Sequence, residues 1–117
     1  MSFRPDYAER LFQAHLRGGF ACALVLDIAG IAQGLLLAAA FEHGFAPIWM
    51  AKETAWWIEP DHRGRSALAM LDAYEAWARG RGCIFAGMAG MGDDPDVAAL
   101  YRRRGYLGAE THYLKAL

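Results

Sequence analysis

Residues 54–83 read TAWWIEPDHRGRSALAMLDAYEAWARGRGC. Thr54, Trp56, Trp57 and Ile58 are β-branched or aromatic and suit a pleated, half-buried surface, so they close a strand over 48–58. The segment Glu59-Pro60-Asp61-His62-Arg63-Gly64-Arg65 is polar and carries Pro and Gly, which marks a turn. Ala67, Met70, Leu71, Tyr74, Trp77 and Ala78 then recur at helical spacing, predicting a helix from about Ser66 to Arg79. Gly80 and Gly82 end it, and Cys83 to Met88 reads as a short buried strand. Strand, helix and strand in that order form a β-α-β unit, which implies a parallel pair with a right-handed crossover.

Upstream, strands are predicted near 20–26 and 31–41, with turn signals at Asp27–Gly30 and His43–Pro47. The connections are short, so these strands pair antiparallel with each other and with 48–58. The run Phe20 to Phe41 is apolar enough to suggest a membrane span, since only Asp27 and Gln33 are strongly polar. Asp27 sits mid-segment, where charge is costly in lipid, and Asp27-Ile28-Ala29-Gly30 reads as a turn, so two strands are expected instead. Residues 5–17 are predicted as a helix, with Asp6 and Glu9 at capping-box spacing, an apolar stripe of Tyr7, Leu11, Phe12 and Leu16, and Gly18-Gly19 as the stop. Downstream, Asp94 suits an N-cap, Pro95 the first helical position and Asp96 the positive end of the dipole. Arg102, Arg103 and Arg104 fall in the last turn, Gly105 is the residue after the cap, and 106–116 is expected to form a final strand or hairpin. The order α-β-β-β-α-β-α-β describes one α/β domain over 1–117, a mixed, mostly antiparallel sheet with one parallel pair and flanking helices.

A chain of 117 residues is enough for one domain, and 56% hydrophobic residues excludes a disordered chain. A net charge of -1 excludes a global basic field for nucleic acid, although Arg63–Arg65, Arg79–Arg81 and Arg102–Arg104 bunch locally. Cys22 and Cys83 stand alone in apolar runs and the four histidines are scattered, so no metal site is expected. The charged start MSFRPDYAER has no apolar signal segment, which points to the cytoplasm.

Two segments resemble the GNAT N-acyltransferase superfamily. Residues 54–83 are similar to its central strand, pyrophosphate-binding turn and following helix. DDPDVAALYRRRGYLGAETHYLKAL, residues 93–117, is similar to its last helix, with the LY-x-x-x-G-[FY] ending, and its closing strands. The W-W-[IV]-x-P-x-x-R-G flavour looks most like bacterial and phage-encoded members. The usual first strand and helix of that fold have no counterpart before 5–17. The resemblance implies acetyl-coenzyme A as co-substrate, its pyrophosphate on the turn and helix start: Arg63, Gly64, Arg65, Ser66, Ala67 and Leu68. A helix N-terminus with small residues and two guanidiniums suits that ligand, because unpartnered N–H groups and positive dipole potential meet the phosphates. The resemblance also implies a pantetheine arm pairing with main chain at Trp57 and Ile58, with Ala86 and Gly87 facing them. The family turn usually reads [RQ]-x-x-G-x-[GA]. With Arg63 first, Ser66 replaces the glycine; with His62 first, Arg65 does.

Tyr101 matches the tyrosine that protonates the departing thiolate in many members, a neutral donor until about pH 10. Its alternative is a core tyrosine on an apolar helix face. Glu53 is the candidate base: alternation along the strand points it the same way as Ala55 and Trp57. A solvent-facing strand residue weighs equally, and Glu59 and His62 are weaker candidates. Trp49, Trp56, Trp57 and Trp77 read mostly as core. The expected activity is transfer of an acetyl group to a primary amine. The competing readings are a GNAT-fold assembly or regulatory module with little or no activity, and an unrelated α/β domain. A homodimer is expected, because the strand edge left by the absent first strand offers itself to a partner.

Overall fold

The computed structural model describes residues 3–89, 95–110 and 112–117, without the side chains of Pro95 and Asp96. The chain forms two compact units, Met1–Gly87 and Met88–Leu117.

The first unit runs α1 (Pro5–Arg17), β1 (Ala21–Ile28), β2 (Ile31–Glu42), β3 (Trp49–Ile58), a single 3-10 turn (Pro60–His62), α2 (Arg65–Gly80) and β4 (Cys83–Gly87). The strands lie in the order β1-β2-β3-β4. The first two pairings are antiparallel and the last is parallel. The apolar run 20–41 is thus a hairpin. Its turn is Ala29-Gly30, between the paired residues Ile28 and Ile31. Both turn residues hold positive φ, 54° at Ala29 and 83° at Gly30, as a two-residue hairpin turn matched to strand twist requires. The Asp27 carboxylate accepts from Gly30 N–H at 2.9 Å. Among the described residues no helix is long and apolar enough to cross a membrane.

The core of this unit holds Leu36, Leu37, Leu71 and Tyr74, all fully buried. Each aliphatic side chain withdrawn in this way contributes about 1.5–3 kcal/mol. Met70, Leu71, Tyr74 and Ala78 form the buried stripe of α2, as their spacing predicts. Phe20 stacks on Trp49 and Tyr74 on Trp77, with ring centroids 5.2 and 6.4 Å apart. Cys22 is half-buried on β1 and burial pushes its thiol up to about 11, partly offset by an Ala38 main-chain hydrogen bond and by Arg81. Burial also raises the Cys83 thiol.

Helix α1 departs from its expectation in two ways. The capping box does not form: Arg4 is the N-cap, Pro5 opens the helix, and Asp6 turns back onto the Arg4 guanidinium at 3.0 Å. Glu9 accepts from Gln13 one turn on, at 2.9 Å. The inward face is Ala8, Phe12 and His15, whereas Tyr7, Leu11 and Leu16 are exposed. Arg4 and Arg10 both lie over the Tyr7 ring, 5.0 and 4.7 Å from its centroid, and hold it on the outer side.

The second unit is built around α3 (Pro95–Arg103). Asp94, the expected N-cap, lies outside the described residues. The helix ends as predicted at Gly105, φ 87°. Gly105 N–H donates to Arg102 O and Tyr106 N–H to Tyr101 O, at 3.1 and 3.0 Å, which is the Schellman pattern. The Tyr101 and Tyr106 rings close it at 5.7 Å. The expected strand or hairpin over 106–116 is absent from the described residues, and Thr111 lies outside them. A strand exists through its ladder, and here Leu107, Tyr113 and Leu114 are almost wholly exposed instead.

Candidate functional site

Two features of the first unit, the end of the parallel ladder and a helix start, define the candidate site. The β3–β4 ladder ends at Lys52 and Gly87, and β3 continues to Ile58 with β4 no longer alongside. Ala86 and Gly87 therefore pair with Ala51 and Lys52, not opposite Trp57 and Ile58 as expected. Glu59 N–H donates to Gln33 O on the β2 side, so by alternation the Ile58 main chain faces away from β2, onto the edge β4 has left. At that last rung Tyr74, 0% exposed, donates its hydroxyl to Gly87 O at 2.8 Å.

The end of the ladder lies next to a bulge. Leu37 pairs with Ala55, but Ala38 pairs with Glu53, so Thr54 is an extra residue in β3. Cross-strand partners share a face, which places Glu53 with Ala38, Trp56 and Ile58, and places Ala55 and Trp57 with Leu37 and Leu35. Glu53 is half-buried on the face opposite Ala55 and Trp57, against the orientation that plain alternation implied. The inserted residue reverses the sense of alternation at that point. Helix α1 lies on the Val25–Leu35 side of the sheet, where Phe12, Val25 and Leu35 line one open cleft. Thr54 reaches α1, its Oγ1 lying 2.9 Å from Nε2 of His15.

Beyond Ile58 the chain turns through Pro60–His62 into α2. The positive φ needed at this turn falls on Gly64, φ 103° and ψ -116°, which is the N-cap. A Cβ at Gly64 would meet nothing within 4 Å, so φ alone calls for glycine. Arg65 and Ser66 are already helical. The turn therefore needs no glycine at either of the positions the family pattern offered. Ala67 and Leu68 N–H donate to Gly64 O at 3.0 and 3.4 Å. The N–H groups of Arg65 and Ser66 come before the first intrahelical acceptor and face outward from the helix start, an arrangement that favours an anion.

Arg63 joins the two features. Its Nε donates to Ile58 O at 2.9 Å, and its guanidinium lies 4.7 Å from the Trp57 ring centroid. Trp57 is 58% exposed, unlike the core tryptophan expected from the sequence. In the second unit Tyr101, 9% exposed, donates its hydroxyl to Ala89 O at 2.9 Å. Among the described residues no group of His, Cys, Asp or Glu could hold a metal ion. Sequence reasoning passed over His15 and Thr54, whose contact spans distant segments and leaves no local pattern.

The sequence model of the Acetyltransferase (GNAT) family matches residues 2–106. This chain belongs to the GNAT acetyltransferase family. The fold agrees with solved GNAT structures. An apo aminoglycoside 6'-N-acetyltransferase from Acinetobacter haemolyticus superposes with TM-score 0.77 at 18% identity, covering 100% of this chain and 83% of that one. A ribosomal-protein-alanine N-acetyltransferase from Brucella melitensis gives 0.76 at 22% identity, covering 97% and 82%. The enzyme AAC(6')-Iy, bound to the bisubstrate analog CoA-S-monomethyl-acetylneamine, gives 0.82 at 14% identity, covering 99% and 82%. No curated protein sequence matches significantly. For this GNAT member, those likenesses establish the fold.

Proposed function

We propose that the protein transfers an acetyl group from acetyl-coenzyme A to a primary amine in the cytoplasm. The observation that carries this is the start of α2, with its outward N–H groups, following directly on a strand that runs six residues past its last pairing with its parallel neighbour. In this reading the pyrophosphate sits on Gly64, Arg65, Ser66, Ala67 and Leu68, with Arg63 beside it. The pantetheine amides pair with the main chain of β3 at Ile58, on the edge away from β2, with the Trp57 side chain beside the arm. That pairing takes the place of the Arg63 bond to Ile58 O, which frees the guanidinium for phosphate.

Tyr101 keeps the role the family resemblance implies, proton donor to the departing thiolate. Glu53 is the carboxylate candidate for the base, to be weighed against any other proton acceptor at the strand. Similar structures are named for an aminoglycoside and for ribosomal-protein alanine, so an aminoglycoside and a peptide with N-terminal alanine are the first acceptors to try. The protein acts as a homodimer in this reading, because β1 is an edge strand open to a partner. Sedimentation showing a monomer at micromolar concentration would remove the dimer.

Thermal unfolding with acetyl-coenzyme A tests the function. Ligand at a hundredfold excess over Kd stabilises by about 2.7 kcal/mol. No rise in melting temperature at millimolar ligand would sink the reading. A rise without turnover on any amine would favour the binding module instead.

A further inference from the structure

His15 is the buried polar side chain of the described core, 8% exposed, and both its ring nitrogens are engaged. Nδ1 lies 2.8 Å from Leu11 O and Nε2 lies 2.9 Å from Thr54 Oγ1. A carbonyl oxygen only accepts, so Nδ1 carries the hydrogen. In the neutral ring Nε2 is then a bare acceptor, and the Thr54 hydroxyl donates to it. The network assigns one tautomer and one direction for the hydroxyl. A hydroxyl donating to an imidazole, itself oriented by a third group, is the arrangement that draws protons through Ser–His pairs.

Position gives this contact a use. Thr54 is the inserted residue of the bulge, two residues past the last β3–β4 rung. Thr54 is exposed while the imidazole behind it is buried. A proton taken up at the open strand can pass over 2.9 Å to a base shielded from water. Glu53, the adjacent carboxylate, points to the opposite face of the sheet.

We propose that Thr54 and His15 form the proton-accepting pair of acetyl transfer, an inference that rests on the acetyltransferase reading above. The amine nitrogen adds to the thioester carbonyl and the C–N bond forms. The N–H bond of the adduct breaks, and its proton goes to Thr54 Oγ1 as the hydroxyl's own proton goes to Nε2 of His15. The C–S bond breaks and its electron pair leaves with sulfur, which takes a proton from its own donor, and solvent returns a proton to that donor. The imidazolium returns its extra proton through Thr54 to solvent, restoring the pair.

The test uses the full chain and the variants Thr54→Val, Thr54→Ser, His15→Gln and Glu53→Gln. Acetyl-coenzyme A binding is read by calorimetry. Thiol release is read with kanamycin and with a peptide bearing an N-terminal alanine. Thr54→Val, close in shape but without the hydroxyl, should lower kcat about a hundredfold or more. Its affinity for acetyl-coenzyme A should stay within about twofold of the parent, which a purely structural defect would not spare. Thr54→Ser should restore most of the rate, and Thr54→Val with His15→Gln should be no slower than Thr54→Val alone. Parental turnover in Thr54→Val overturns the pair, as does a Glu53→Gln protein that loses the turnover Thr54→Val keeps. The Thr54 series decides the matter even if His15→Gln fails to fold. A parent protein that does not bind acetyl-coenzyme A defeats the acetyltransferase reading itself. Binding without thiol release from either probe defeats the pair and leaves the coenzyme site standing.

Discussion

The Tyr74 hydroxyl donates to Gly87 O at 2.8 Å, at the rung where the parallel ladder stops. A helix side chain thus satisfies a strand carbonyl at the point where the next β3 residue no longer has β4 beside it. Replacing Tyr74 by Phe keeps the ring and strands that carbonyl. The expected cost is about 1–3 kcal/mol, the usual desolvation loss for a buried acceptor left without its donor. Urea unfolding with an unchanged m-value should show it; a midpoint equal to that of the parent would deny the bond any role.

Arg63→Ala should weaken acetyl-coenzyme A binding more than Arg103→Ala does. Arg63 stands at the turn, bridging Trp57 and Ile58, whereas Arg103 belongs to the last turn of α3. Loss of a charged hydrogen bond to phosphate is worth about 1.5–3 kcal/mol, or roughly ten- to hundredfold in Kd. Equal Kd values for the two variants in calorimetry would show that the anion site is misplaced.

Tyr101→Phe should lower turnover about 10²–10⁴-fold while leaving coenzyme affinity nearly unchanged. The substitution also strands Ala89 O, which the hydroxyl now reaches at 2.9 Å, so a stability loss of about 1 kcal/mol should accompany it. Stability loss alone, with parental turnover on the best acceptor, would make Tyr101 a structural residue.

Ala29 occupies the left-handed region at φ 54°, which L-residues other than Asn and Asp visit at a cost of about 1–2 kcal/mol. Asn-Gly is the preferred pair for this turn, so Ala29→Asn should stabilise the protein by about 0.5–1 kcal/mol. Differential scanning calorimetry should register a melting temperature a few degrees higher. A lower one would mean that the hairpin tolerates alanine for a reason not visible in its dihedrals.

Much of this architecture is legible in the sequence because its causes are local. Asp27–Gly30 turns the apolar run back on itself, and the 54–83 segment carries its turn and its helix stripe in its own residues. The Schellman end at Gly105 is likewise written in one turn of helix. What failed depends on partners far along the chain. A period-2 pattern cannot reveal that Thr54 is inserted against β2, so Glu53 was expected on the wrong face. A 3.6-residue period finds an apolar stripe on α1 but cannot tell that cation–π contacts keep Tyr7 outside while His15 turns in. The 106–116 strand failed because a strand is a property of two segments, and only one was in view. At the turn, the family pattern sought its glycine at Ser66 or Arg65, whereas the backbone needs it at the N-cap, Gly64.

The two suppressed thiols bear on how this chemistry can be watched at the bench. With the Cys22 thiol near 11, roughly one molecule in a thousand presents a thiolate there at pH 8. Cys83 is buried. A chromogenic disulfide reagent added to follow coenzyme release would therefore meet a nearly silent protein. The colour it develops reports turnover from the first seconds of a trace, and a slow rise in an enzyme-only blank becomes a direct gauge of unfolding.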